Sequence, residues 1–209
     1  MVFTRRNCLG VAFAGFFLPL WAADAQAGLI AKVSQRLADA PVVRGQFEQR
    51  KSIKGFRQPL ISHGDFLVAR QRGVVWHTRE PFSATLLLTR ERLISRQGDG
   101  SVSRQLESGH EAMVGLITEL MFALLSVDLP LLAKRFIVEG ELLGASGWRL
   151  LLTPRDSALS NWATRVELTG ERQVRLVQWQ DAQGDSTLIR MSDHQTAQTL
   201  SRNEEALFD

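Results

Sequence analysis

The chain contains no tyrosine and only one cysteine, Cys8. Cys8 lies in an N-terminal stretch with the marks of a secretion leader. With that stretch removed no cysteine is left, which excludes disulfides and thiol chemistry and leaves stability to packing. Catalytic signatures are missing too: there is no G-x-S-x-G elbow, H-E-x-x-H pair, P-loop or G-x-G-x-x-G turn. Nor is there a basic stripe interleaved with stacking aromatics, so nucleic acid is not an expected partner. The pI of 9.6 overstates the charge. Taking Arg5, Arg6 and Asp24 away with the leader reduces 25 basic and 22 acidic residues to 23 and 21, with both signs interspersed.

The leader reading rests on three features. Thr4-Arg5-Arg6 is a positive start, Leu9 to Trp21 is an apolar run, and Ala23-Asp24-Ala25 and Ala25-Gln26-Ala27 are overlapping A-x-A sites. The run is too short and wrongly flanked for a spanning helix. Residues 1–27 are therefore expected to be a signal peptide, cleaved near 25 or 27. Residues 28–209 are expected to form a single domain, long enough to bury its own core. Arg5-Arg6 leaves the Sec and twin-arginine export routes both open. Cys8 precedes the apolar run, where a lipid-attachment cysteine is not expected.

The remaining chain alternates like a sheet. Gly28 to Ala40 has Ile30, Val33 and Leu37 at helical spacing, and Pro41 ends that pattern. Strands are predicted over 42–51, 60–69, 73–78, 84–89 and 92–96, then over 135–142, 148–153, 165–169, 174–180 and 187–192. Gly98-Asp99-Gly100 marks a hairpin. Between the two sets, Met113, Leu116, Ile117, Leu120, Met121, Leu124 and Leu125 follow helical spacing. Asp128 is placed to cap a second short helix, 129–134, with Pro130 in its first turn. A mostly antiparallel meander with a central helical insertion follows; such a sheet curls over its apolar face, and the helices are its natural cover.

The segment Gly64 to Phe82, GDFLVARQRGVVWHTREPF, is the richest in implications. Alternation puts Phe66 and Val68 on one face and Asp65 and Leu67 on the other, with Val74 and Trp76 lining the first face from the next strand. Arg70 lies in the turn between them, at the rim of that face or inside it. This suits the binding of a greasy body with a polar end. His63 and Asp65 point the same way but are too few for a metal site. Ser192-Asp193-His194 has the residue types of a triad, but neighbours on a strand diverge, so it reads as a strand end. Glu204-Glu205 reads as solvated charge.

These residues resemble a known family. Gly64-Asp65-Phe66-Leu67-Val68-Ala69-Arg70, then Trp76-His77 and Pro81, are similar to the LolA family of periplasmic carriers of outer-membrane lipoproteins. Gly45-Gln46-Phe47-Glu48-Gln49-Arg50 resembles its F-x-Q strand, and Leu152-Thr153-Pro154-Arg155 its L-T-P-K segment. The resemblance implies a mainly β, α+β fold: an incomplete, strongly curved antiparallel barrel covered by a helical lid over a hydrophobic cavity. It implies a carrier, not an enzyme, that shields lipoprotein acyl chains or another lipid and moves them from the inner to the outer membrane. An inner-membrane transporter and an outer-membrane acceptor would be its transient partners. The protein is expected to be periplasmic and monomeric, with no cofactor.

Arg70 matches the arginine of the family's K-R-P turn, which helps to gate the lid and bind cargo. Phe47 and Trp76 match aromatic positions facing its cavity. With Phe66, Val68, Leu86, Leu88, Met121, Phe122 and Leu125 they make up the expected ligand-binding set. Two departures stand out. Gln71 replaces the family's proline, and the tail from Gln198 to Asp209 is short for the family's final strand and extension. Two other readings remain: a lipid sensor on the same half-barrel, and an enzyme whose residues converge from distant positions.

Overall fold

The structure, a computed structural model, describes residues 20–107 and 120–208. Helix α1 (Leu20–Arg36) leads into β1 (Val42–Ser52), β2 (Leu60–Ala69), β3 (Gly73–Glu80), β4 (Ala84–Leu88), β5 (Arg92–Gln97) and β6 (Val102–Glu107). The helical insertion comes next, as α2, whose described part is 120–126, and α3 (Leu129–Arg135). The chain then forms β7 (Phe136–Leu143), β8 (Gly147–Pro154), α4 (Ser157–Trp162), β9 (Arg165–Gly170), β10 (Val174–Gln180), β11 (Ser186–Ala197) and α5 (Arg202–Glu205).

The strands form one sheet in the order β6-β5-β4-β3-β2-β1-β11-β10-β9-β8-β7. Every ladder is antiparallel. The first and last strands meet in the middle, and among the described strands β6 and β7 are the two edges. The sheet is therefore an open, curved barrel interrupted where the helical insertion leaves it. Val33 of α1, Leu120 and Leu124 of α2, and Leu129 and Leu132 of α3 pack into the core on one face of the sheet. Arg36 pins the end of α1 by donating to the carbonyls of Leu143, Gly144 and Gly147 around the β7–β8 turn.

A reciprocal pattern organises the centre of that face. Antiparallel pairing sets Gly45 of β1 opposite Phe66 of β2, and Phe47 of β1 opposite Gly64 of β2. Each ring lies over the other strand's glycine. A Cβ on Gly45 would stand 2.8 Å from the Phe66 ring, and one on Gly64 would stand 2.7 Å from the Phe47 ring. Trp76, paired with Phe66 across β2 and β3, completes the floor and stacks on Phe47 with centroids 3.8 Å apart. The two G-x-F triplets need this side-chain vacancy so that the rings can lie flat over the neighbouring backbone.

The opposite face carries a second core: Val42, Leu67, Ala69, Val75, Leu87 and Ile94, covered by Phe208. The short tail is thus a strap across the back of the sheet. Ser201 and Glu204 form a capping box that starts α5. Glu204 pairs with Arg44 at 3.0 Å, and Arg92 donates to the Phe208 carbonyl at 2.9 Å.

Several boundaries differ from expectation. α1 begins at Leu20, inside the stretch read as leader, and ends at Arg36, short of Ala40. The chain leaves the helix there because Ala38 N–H turns to the Arg172 carbonyl, at 2.7 Å. β6, α4 and α5 were not predicted as elements. Asp156 caps α4 by accepting from Leu159 N–H, a short signal easily taken for a turn. The strand does not end at Ser192-Asp193-His194; it runs to Ala197 through a bulge, with the β1 register shifting between Arg44 and Gln46 and Asp193 at φ +51°. Glu204 is not merely solvated. Burial pushes its carboxyl up, but the Ser201 hydrogen bonds and the Arg44 charge outweigh this and hold it below its usual value. The cap expected at Asp128 is present, accepting from Leu131 N–H. Met113, Leu116 and Ile117 lie outside the described residues.

Candidate functional site

The expected ligand-binding residues do come together. Phe47, Phe66, Val68, Trp76, Leu88 and Leu125 are buried in the helix-covered core, and Leu86, Met121 and Phe122 pack against it half-buried. They do not form an empty groove, because α2 and α3 fill the curve of the sheet. The space that remains lies at one end, where α1 finishes and Pro41 leads into β1.

There a cavity of about 300 Å³ opens. Its floor is apolar, from Phe66, Val68, Leu125, Val127, Val174 and Met191; its rim is polar, with Ser34, Asp39, Arg70 and Arg172. A neighbouring cavity of about 410 Å³ lies between the β2–β3 turn, Arg90 and the helical insertion, with Leu88, Phe122 and Leu131 as its apolar wall. Arg70 borders both. Phe47, Trp76, Leu86 and Met121 line neither; they support the walls.

Arg70 sits at the rim. The β2–β3 turn holds it there: its N–H donates to the Pro41 carbonyl at 2.9 Å, and its guanidinium donates to Asp39 at 2.8 Å. Its side chain is about half exposed, and that of Asp39 is 91% exposed. Such an ion pair contributes little stability and separates easily, so the guanidinium is free to meet an incoming acceptor group. Gln71, where the family pattern has proline, lines the second cavity.

The sequence reading missed His194. The bulge at Asp193 turns the imidazole into the first cavity, edge-on to the Phe66 ring at 5.6 Å. Both ring nitrogens are buried, and neither makes a hydrogen bond of good geometry among the described residues. Burial, then the positive charge of Arg175, pushes its pKa down; the Val174 backbone and Asp193 oppose this and lose. The imidazole is held neutral beside apolar surface, with hydrogen-bonding capacity unspent. An aspartate inside a strand pattern was the available signal, since Asp accepts the left-handed backbone that a bulge needs. Val127, also in the wall, has φ +50° between α2 and α3, a strained position for a β-branched residue.

His63 faces Glu48 and Glu80 at 3.6 and 3.8 Å, while Asp65 pairs with Arg79 at 3.3 Å. The two do not converge, and no group of three potential metal ligands occurs among the described residues. Ser192, Asp193 and His194 do not form a relay: Ser192 Oγ reaches Asp193 at 3.4 Å, but neither ring nitrogen of His194 bonds to either of them. No described helix is long and apolar enough to cross a membrane.

Comparison with curated proteins returns no match. Among solved structures, a LolA superfamily protein from Nitrosomonas europaea superposes with a TM-score of 0.50 at 12% identity, covering 88% of this chain and 97% of its own. A putative outer membrane lipoprotein-sorting protein domain from Vibrio parahaemolyticus gives a TM-score of 0.48 at 10% identity, covering 89% and 99%. The first likeness establishes the fold. The model of the family described as "Outer membrane lipoprotein carrier protein LolA-like" matches residues 22–207. With the open, helix-covered antiparallel sheet and the cavity beneath its helices, this places the chain: it belongs to the LolA-like family of outer-membrane lipoprotein carrier proteins.

Proposed function

We propose that this protein is a periplasmic carrier that takes up an acyl-bearing cargo, a lipoprotein or another lipid, beneath its helical insertion. It would deliver that cargo from the inner to the outer membrane without chemical change. The observation that carries this reading is the first cavity, with a floor of Phe66, Val68, Leu125 and Met191 and Arg70 at its polar rim. An acyl chain in water costs about 0.8 kcal/mol for each exposed methylene, so transit across an aqueous gap requires an apolar sleeve. The floor supplies that sleeve, and Arg70 and the neutral His194 supply partners for an ester or phosphate oxygen.

At about 300 Å³ the cavity is at the small end of ligand sites. On this reading the form described here is the closed one. Admission of a longer chain requires α2 and α3 to lift. Met121, Phe122 and Leu125 on the moving side repack readily against a flexible ligand, and the strained turn at Val127 is a natural place for the movement to begin. Signal-peptide removal before Gly28 would leave Val33 and Arg36, which hold α1 in place, on the mature chain.

Native mass spectrometry of gently purified protein tests the proposal. Co-purifying lipid is the expected result, with identification of that lipid naming the cargo. A protein that is ligand-free and also fails to bind a fluorescent fatty acid would overturn it.

A further inference from the structure

The end of the sheet opposite the cavity has a different character. Five of the eight exposed large hydrophobic side chains among the described residues gather there: Phe56, Leu60, Ile61, Phe82 and Val102. Phe56 and Phe82 are 72% and 83% exposed. Phe56 is in the β1–β2 turn and Phe82 in the β3–β4 turn. The pairing of His63 with Glu80 brings the second turn beside the start of β2. Gly98 in the β5–β6 turn lies against Ser83, which adds Val102 to the same end. Scattered apolar side chains are ordinary on a surface; a concentration at the tips of adjacent turns is not.

Charge accompanies them. From Gln49 to Gly64 there are four cations, Arg50, Lys51, Lys54 and Arg57, and no Asp or Glu. Arg50 reaches Glu48 at 3.5 Å; Lys51, Lys54 and Arg57 have no ion pair among the described residues. The acids at this end are each engaged: Glu80 faces His63, Asp99 accepts from the N–H and hydroxyl of Ser101, Asp181 accepts from Gln183 and Asp185 N–H, and Asp185 accepts from Lys54 N–H at 2.9 Å. That last bond fixes the β1–β2 turn in its projecting position.

We propose that this end docks on an anionic lipid bilayer. Phe56 and Phe82 enter the headgroup region while Lys51, Lys54 and Arg57 meet anionic headgroups. Aromatic side chains on projecting tips, flanked by cations, match the chemistry of an interface that is apolar within and negative at its surface. A peptide partner would need a groove to seat in, and these side chains stand outward on separate turns. The proposal does not rest on the carrier reading. From Ile61 in β2 to Arg70 in the turn beyond it is about 30 Å at the strand rise, so docking leaves the cavity mouth facing water, open to a soluble or membrane-borne partner.

Vesicle flotation tests it with the purified protein. Wild type is expected to float with vesicles of phosphatidylcholine mixed with phosphatidylglycerol, far less with phosphatidylcholine alone, and less as salt rises. F56S/F82S should lower partitioning about tenfold or more. K54Q/R57Q should lower it about thirtyfold, from two headgroup interactions. K134Q, on α3, should float like wild type. All these positions are exposed, so unchanged thermal midpoints confirm folding. Failure of wild type to float, equal flotation on both vesicle types, or double variants that float like wild type would each overturn the proposal. So would an equal loss in K134Q. Retention on an acidic polypeptide without vesicle binding would overturn it in favour of a protein partner. A ligand-free cavity would leave these results untouched.

Discussion

Replacing Gly64 by alanine probes the centre of the structure with a single methyl group. The added Cβ would fall 1.9 Å from the His77 carbonyl oxygen and 2.7 Å from the Phe47 ring. The first contact is with backbone, so rotation of a side chain cannot relieve it. β2 and β3 must separate, and Phe47 must shift from its stack on Trp76. Overpacking of this kind costs about 1–3 kcal/mol, and losing the aromatic pair adds about 0.5–1.5 kcal/mol. A total near 2–4 kcal/mol corresponds to a fall of about 4–16 °C in thermal midpoint for a chain of this size. Differential scanning calorimetry at neutral pH measures it. Gly28→Ala is the control: nothing lies within 4 Å of its Cβ position, so alanine at the start of the mature chain should leave the midpoint unchanged. A Gly64→Ala midpoint within about 2 °C of wild type would refute the close-approach argument and with it the aromatic floor.

Three further outcomes are expected. Phe208→Ala should destabilise the protein by about 3–5 kcal/mol, because Phe208 is buried over the rear core; urea unfolding with an unchanged slope would show it, and a loss below about 1 kcal/mol would mean the strap is dispensable. His194→Gln should flatten the acid limb of stability. The folded-state pKa of His194 is depressed by burial and Arg175, so the unfolded chain binds the proton more readily, and stability is lost as pH falls through 6.5, the ordinary value; parallel midpoint-against-pH curves for variant and wild type would reject this. Arg70→Leu should change stability by under about 1 kcal/mol, since its ion pair is well exposed, yet alter the rate at which a fluorescent fatty acid exchanges; an unchanged rate removes Arg70 from the mechanism.

The sheet was legible because its information is local. Strict alternation in 42–51 and 60–69 placed Phe66 and Val68 on one face and Leu67 on the other, and these now occupy the front and rear cores. Punctuation by glycine and proline marked most turns, and Asp128 announced α3. The errors fell where a signal is short or a partner distant. Ser201-x-x-Glu204 is a readable capping box, but its value depends on Arg44, 160 residues away in sequence. His194 read as a strand end because a bulge is defined by register against β1, which no window of sequence contains.

The candidate site divides the same way. Alternation and helical spacing by themselves determined which apolar side chains share a face, and so selected the residues that gather under the helices. Only the tertiary structure decided that this face is filled by α2 and α3, leaving a cavity at one end with Arg70 at its rim and His194 in its wall. It alone assembled a basic aromatic tip at the other end. Periodicity records the direction of a side chain relative to its own backbone. How much space remains beyond that side chain, and what shares it, depends on elements that arrive from elsewhere in the chain.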